Sequence, residues 1–134
     1  MSIQEGTDER GAASLIQLVL VAPVLLLVLM FIVQFALVAH ARSVVEAAAE
    51  QGTAVARRAD GTQGGAQAEA VKYLDRLGPT MLTTRSVSAS RTPATATVTV
   101  SGTVISLVPG VHPQVKETSS GPVERYVPPV EQAP

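Results

Sequence analysis

Polar residues crowd the first ten positions of the chain, and the thirty-one from Gly11 to Ala41 then carry no formal charge, taking His40 as neutral. At about 1.5 Å per helical residue that run reaches roughly 46 Å, against about 30 Å for the hydrocarbon of a bilayer. It is apolar on all sides, which predicts a single membrane-spanning helix near the N-terminus rather than the core helix of a small domain. Pro23 removes a backbone donor and predicts a local helix kink of a kind membrane helices tolerate. Gln17 and Gln34 are the only side-chain amides in the run. Each prefers a hydrogen-bonding partner to lipid.

Beyond the apolar run the helical signal continues. Ala41 to Arg58 is rich in good helix formers, so Ala13 to Arg58 reads as one rod of roughly 70 Å whose distal third stands in water. Ala48, Gly52 and Ala56 fall at i, i+4 and i+8 and make a smooth strip. The strip reads either as a helix–helix contact with another subunit or as alanine serving as helix filler. Before the span, Met1 to Arg10 is acidic-leaning, and Gly6 and Gly11 argue against a stable helix there. Asp60-Gly-Thr-Gln-Gly-Gly65 predicts a flexible break.

The remainder predicts a small α+β unit. Ala66 to Leu77 is amphipathic, with Ala70, Tyr73, Leu74 and Leu77 on one side, and Gly78-Pro79 closes it. From Arg85 to Arg91, and again from Thr95 to Val100, apolar or long residues alternate with Ser and Thr, as half-buried strands do; Thr92-Pro93 turns the chain between them. The apolar phase then moves to Ile105 and Leu107, which predicts a bulge at Gly102, and Val108-Pro-Gly110 reads as a turn. Val115 to Val127 supplies a third strand, interrupted by Ser119-Ser-Gly-Pro122. The expected division is a hydrophilic leader over 1–11, a transmembrane helix with its extension over 12–58, a linker over 59–65, a small domain over 66–127 with an antiparallel sheet, and a disordered tail over 128–134.

Composition narrows the chemistry. Phe31 and Phe35 lie in the apolar run, leaving Tyr73 and Tyr126 as the aromatic residues beyond it. The formal net charge is −1, and after Ala41 nine Lys or Arg face eight Asp or Glu with no basic stripe, so no nucleic-acid partner is expected. Cysteine is absent. The histidines are His40 and His112, far short of a metal-ligand pattern, and no Gly-x-Ser-x-Gly elbow or phosphate loop is present. Glu46 and Glu50 read as a solvated helix face. No catalytic site, metal or cofactor is expected.

Three kinds of membrane segment fit such a run. Ala39-His40-Ala41 offers a small-x-small cleavage site, but the apolar stretch far exceeds a secretory signal and the leader lacks net positive charge. A permanent signal anchor is the second. The third rests on the order of parts: Arg10-Gly11-Ala12-Ala13, Ile16-Gln17-Leu18-Val19-Leu20, Ala22-Pro23-Val24-Leu25-Leu26, and Ala41-Arg42 followed by Ala47-Ala48-Ala49-Glu50-Gln51-Gly52. In these pieces the chain resembles the TadE/TadG family of pseudopilins from tight-adherence (Flp-type) pilus systems.

That resemblance implies a leader removed on the cytoplasmic side by a prepilin peptidase, at Gly11-Ala12 or one residue later. It also implies a cytoplasmic-membrane helix with the C-terminal domain outside, and partners among membrane lipid, the peptidase and other pilin-like or Tad assembly subunits. Family members usually carry Glu five residues after the cut, to pair with a neighbour's new amine; here Gln17 stands in its place, sixth after a cut at Gly11 and fifth after a cut at Ala12. An amide accepts a hydrogen bond from an ammonium without neutralising it. The orientation follows from the resemblance alone, since Arg42, Arg57 and Arg58 beyond the span outnumber the basic residues before it, the reverse of the positive-inside rule.

Overall fold

The structure, a computed structural model, describes residues 5–130. Met1–Gln4 of the expected leader and 131–134 of the expected tail lie outside the described residues. The elements are α1 (Glu5–Arg57), α2 (Gln63–Leu77), β1 (Leu82–Arg91), β2 (Thr95–Val104) and β3 (Gln114–Pro122). The strands form an antiparallel sheet in the order β1-β2-β3. The class is α+β, as the residue pattern predicts.

Helix α1 contains 53 residues and is about 80 Å long. It begins inside the expected leader, so Gly6 and Gly11 lie within helix, contrary to the sequence reading. Each glycine costs roughly 1 kcal/mol relative to alanine, but adding a residue to an existing helix is far easier than starting one. The helix also runs on through Pro23, whose missing N–H leaves the Val19 carbonyl without its usual partner.

The two halves of α1 live in different surroundings. From Leu15 to Val33 its large apolar side chains are exposed, Met30 alone being half-buried. From Gln34 onward one face is covered: Ala41, Val44, Val45, Ala48, Ala49 and Ala56 are buried. The distal part is therefore the spine of the small domain, not an exposed extension. This accounts for a run longer than a bilayer needs, because its last eight residues, 34–41, already belong to the domain.

The sheet lies against this spine, and α2 packs beside both. Val98, Val100 and Val104 of β2 point inward with Leu74 of α2, and all four are fully buried with Val45. The opposite face of the sheet is hydroxylic, with Ser86, Ser88 and Ser90 of β1 paired to Ser101, Thr99 and Thr97 of β2. Helix α2 starts at Gln63, earlier than the periodicity suggests, because Thr62 caps it by accepting from the Gly65 N–H at 3.0 Å. Its buried line is Ala66, Ala70 and Leu74, and Leu77 is 50% exposed, off the core where the sequence reading puts it.

Two features of the strands differ from expectation. The register break falls in β1, between Leu82 and Thr84, whereas Gly102 stays in register opposite Arg85 and Val115. A Cβ on Gly102 would lie 2.6 Å from the Thr84 carbonyl oxygen, so that glycine admits the backbone of the irregular partner strand. Val104 keeps the inward phase of β2, and Ile105 and Leu107 lie past its end. Strand β3 runs straight through Ser119-Ser-Gly121. These small residues let the strand approach α1: a Cβ on Gly121 would meet the Arg57 side chain at 2.8 Å.

Candidate functional site

Three parts of α1 carry the sequence-predicted site residues. The first is the apolar half. Gly11, Ala12, Gln17 and Pro23 are all exposed along it, and nothing lies within 4 Å of where a Cβ on Gly11 would stand. This stretch is long and apolar enough to cross a membrane, and none of its most apolar window is buried by the rest of the chain. Removing so many Leu, Val and Ile side chains from water is the dominant driving force available to it, at about 25 cal/mol per Å² of apolar surface.

The second part is the strip Ala48, Gly52 and Ala56. All three are buried within the chain. A Cβ on Gly52 would lie 2.9 Å from the Ala66 carbonyl oxygen, 3.1 Å from Val98 Cγ1 and 3.3 Å from Ala70 Cβ. The strip is indeed where another backbone comes close. That backbone is the chain's own α2, with β2 alongside, so the expectation of a subunit contact at these three residues is corrected. Covered on that side, they present no surface to a neighbour in this fold.

The third part was only half foreseen. Gln34 is 5% exposed, and its amide binds the connection after β2 through both of its ends. Nε2 donates to the Ile105 carbonyl at 3.1 Å, and Oε1 accepts from the Leu107 N–H at 2.7 Å. The amide thus finds its partner inside the chain, at the level where α1 passes from exposed to covered. A signal for this existed: Gln34 and Gly52 are eighteen residues apart, five turns at about 3.6 residues each, and so share one face.

Further along, α1 is fastened to β3 in the same sense. Arg42 pairs with Glu117 at 2.6 Å, Thr53 Oγ1 lies 2.8 Å from the Ala49 carbonyl and 3.1 Å from that of Ser119, and Arg57 donates to the Pro122 carbonyl at 2.9 Å. The Arg42 side chain is largely exposed, so that pair contributes below about 1 kcal/mol. At the end of α1, Arg91 of β1 donates to the carbonyls of Ala56 at 2.9 Å and Arg58 at 3.1 Å, satisfying acceptors that a helix terminus leaves open.

Gln34→Leu keeps the apolar contact but leaves the Leu107 N–H and the Ile105 carbonyl without the amide. The expected cost is about 1–3 kcal/mol of local stability. Amide hydrogen exchange at Leu107 should accelerate while the β2 amides keep their protection. Unchanged exchange at Leu107 would show that the amide does not hold the loop.

Among the described residues no group of three or more His, Cys, Asp or Glu converges to hold a metal, and His40 and His112 are both exposed and far apart in sequence. Grooves among the described residues include a shallow one of about 290 Å³ over the hydroxylic sheet face at Thr84, Ser101 and Lys116 and one of about 310 Å³ between α2 and β1 at Gln67, Val71 and Val87.

Residues 11–54 match the model of a family described as TadE-like protein. The match covers about a third of the chain and lies wholly within α1, spanning the apolar half and most of the covered half. It is the family that the residues of this segment resemble. No curated protein and no solved structure matches the chain.

Proposed function

We propose that this protein, TadE-like over residues 11–54, is a structural pseudopilin, a minor component of a Flp-type tight-adherence pilus or of its assembly and secretion machinery. The observation that carries the reading is the exposed apolar half of α1 lying inside the matched segment. A helix of this kind serves as a lipid tether before assembly and as a packing surface afterwards. Lipid is as apolar as leucine, so helix–helix association there draws on close packing and hydrogen bonds.

In this reading α1 spans the cytoplasmic membrane once, with the N-terminus cytoplasmic and the sheet domain outside. A prepilin peptidase cuts at Gly11-Ala12, where both residues are exposed among the described residues. The new amine of Ala12 is then bound by Gln17 of a neighbouring subunit, which accepts a hydrogen bond in place of the carboxylate that family members supply. Covered on their own side, Ala48, Gly52 and Ala56 stabilise the domain, and contacts between subunits fall to the exposed face of α1 around Gln17.

Intact-mass measurement of the mature protein tests this directly. Expressed with its peptidase, the chain is expected to begin at Ala12, or at Ala13 if the cut falls one residue later. A terminus at Met1 or Ser2 would instead support an uncleaved single-pass anchor that presents its domain to an envelope partner. The amide at Gln17, which cannot neutralise an amine, is the specific feature favouring that second reading.

A further inference from the structure

We propose that the β2–β3 connection, residues 105–113, is a second membrane contact: a small apolar foot that rests in the interfacial layer of the bilayer beside the point where α1 leaves it. The proposal rests on the reading that α1 spans a membrane. The connection reads Ile-Ser-Leu-Val-Pro-Gly-Val-His-Pro and contains no Asp, Glu, Lys or Arg. Leu107 is 44% exposed and Val111 38% exposed, although both are the side chains a small domain would ordinarily cover.

The position of the loop argues for lipid. Gln34 holds Ile105 and Leu107 against α1 at 3.1 and 2.7 Å. The exposed large apolar side chains of α1 run from Leu15 to Phe35, a length of about 30 Å, which matches the hydrocarbon of a bilayer at about 30 Å. The clamp therefore sits at the edge of the hydrocarbon. Phe35, 77% exposed, stands next to it and continues the apolar surface. Eight residues on, or about 12 Å further along the helix, the Arg42–Glu117 pair already needs water.

The loop is also built to enter a less polar layer. The Val104 N–H donates to the Pro113 carbonyl at 2.8 Å, Ser106 Oγ to the Val108 carbonyl at 2.8 Å, and the Val111 N–H to the Val108 carbonyl at 3.2 Å. Gly110 takes the left-handed turn position with φ of 80°. The carbonyls of Val108 and Pro113 and the N–H of Val111 are thus partnered, which lowers the cost of taking those groups out of water. A protein partner is the weaker match, since a specific interface covers roughly 800 Å² on each side and this patch consists of little more than Leu107 and Val111. With two points of attachment, the loop would set which face of α1 and of the sheet looks along the membrane.

The chain has no tryptophan, so single introduced tryptophans report position in the full-length protein. Leu107→Trp, Leu25→Trp and Ser90→Trp are placed in vesicles of phosphatidylcholine and phosphatidylglycerol carrying lipids brominated either near the headgroup or deep in the acyl chain. Val111→Trp provides a second reporter should Leu107→Trp disturb the clamp. Expected are blue-shifted emission and quenching by shallow bromines at position 107 or 111, quenching by deep bromines at position 25, and water-like, unquenched emission at position 90. If position 25 is quenched while 107 and 111 behave like 90, the loop stands in water and this proposal alone is overturned. If position 25 is unquenched as well, the spanning reading falls with it. Shielding at 107 that depends on protein-to-lipid ratio and is insensitive to bromine would assign the patch to a second copy, and would likewise overturn the proposal.

Discussion

Gly52→Leu is expected to unfold the small domain while leaving the apolar half of α1 intact. Even a lone Cβ at this position would stand 2.9 Å from the Ala66 carbonyl oxygen and 3.1 Å from Val98 Cγ1. The first of these is backbone of α2, so relief requires the whole helix to move outward. That would open the core at Ala66, Ala70 and Leu74 together. Overpacking commonly costs about 1–3 kcal/mol and more where the neighbour cannot give. A domain this small has little to spare, since folded proteins as a class are stable by only about 5–15 kcal/mol.

Hydrogen exchange of the full chain in detergent micelles checks it, with the β2 amides losing protection at Val98 and Val100. Gly64→Ala is the matched control. Gly64 is helical with nothing within 4 Å of its would-be Cβ, and there alanine should be neutral or stabilising by about 0.4–1 kcal/mol. Native protection in Gly52→Leu would mean that α1 and α2 are not packed as described.

Leu74→Ala is the other large effect, at about 2–5 kcal/mol. Leu74 is fully buried and heads the largest side chains of the core, most of whose other members are Ala and Val. Such short residues cannot reach into the space a leucine leaves. Leu77, three positions on, is half exposed, and Leu77→Ala should cost well under 1 kcal/mol, as surface changes usually do. Urea midpoints for the two variants, followed by proteolytic susceptibility of the domain, separate the cases. Equal shifts would place both leucines in comparable surroundings and contradict the fold.

Much of the architecture could be read from residue order. The alternation through Ala96, Val98 and Val100 marks β2 and its inward face, and the Ala66-to-Leu77 periodicity finds α2 to within one turn. Misreadings arose where a local preference met a long-range contact. The Ser119-Ser-Gly121 run looks like a break because small polar residues favour turns. In the fold it is the stretch of strand that must lie close to Thr53 and Arg57 of α1. Gly102 looks like a bulge, and the irregularity belongs instead to the partner strand across from it.

The candidate site divides along the same line. Gly11, Ala12 and Gln17 are exposed on α1. Ala48, Gly52 and Ala56 form a smooth face, and in the fold the chain's own α2 and β2 cover it. Helical period puts Gln34 on the covered face of α1, but that its partner is a backbone loop some seventy residues away is decided only by the fold.

What the chain determined without help is the apolar helix and its class, because side-chain hydropathy summed along a helix depends on no other segment. It also determined that one face of the distal half admits a close neighbour, since residue size and helical period are local properties. Only the tertiary structure decided what fills that face and where the domain begins. Period specifies a direction around the helix axis, and the choice between another subunit and the chain's own α2 and sheet turns on contacts between residues distant in sequence.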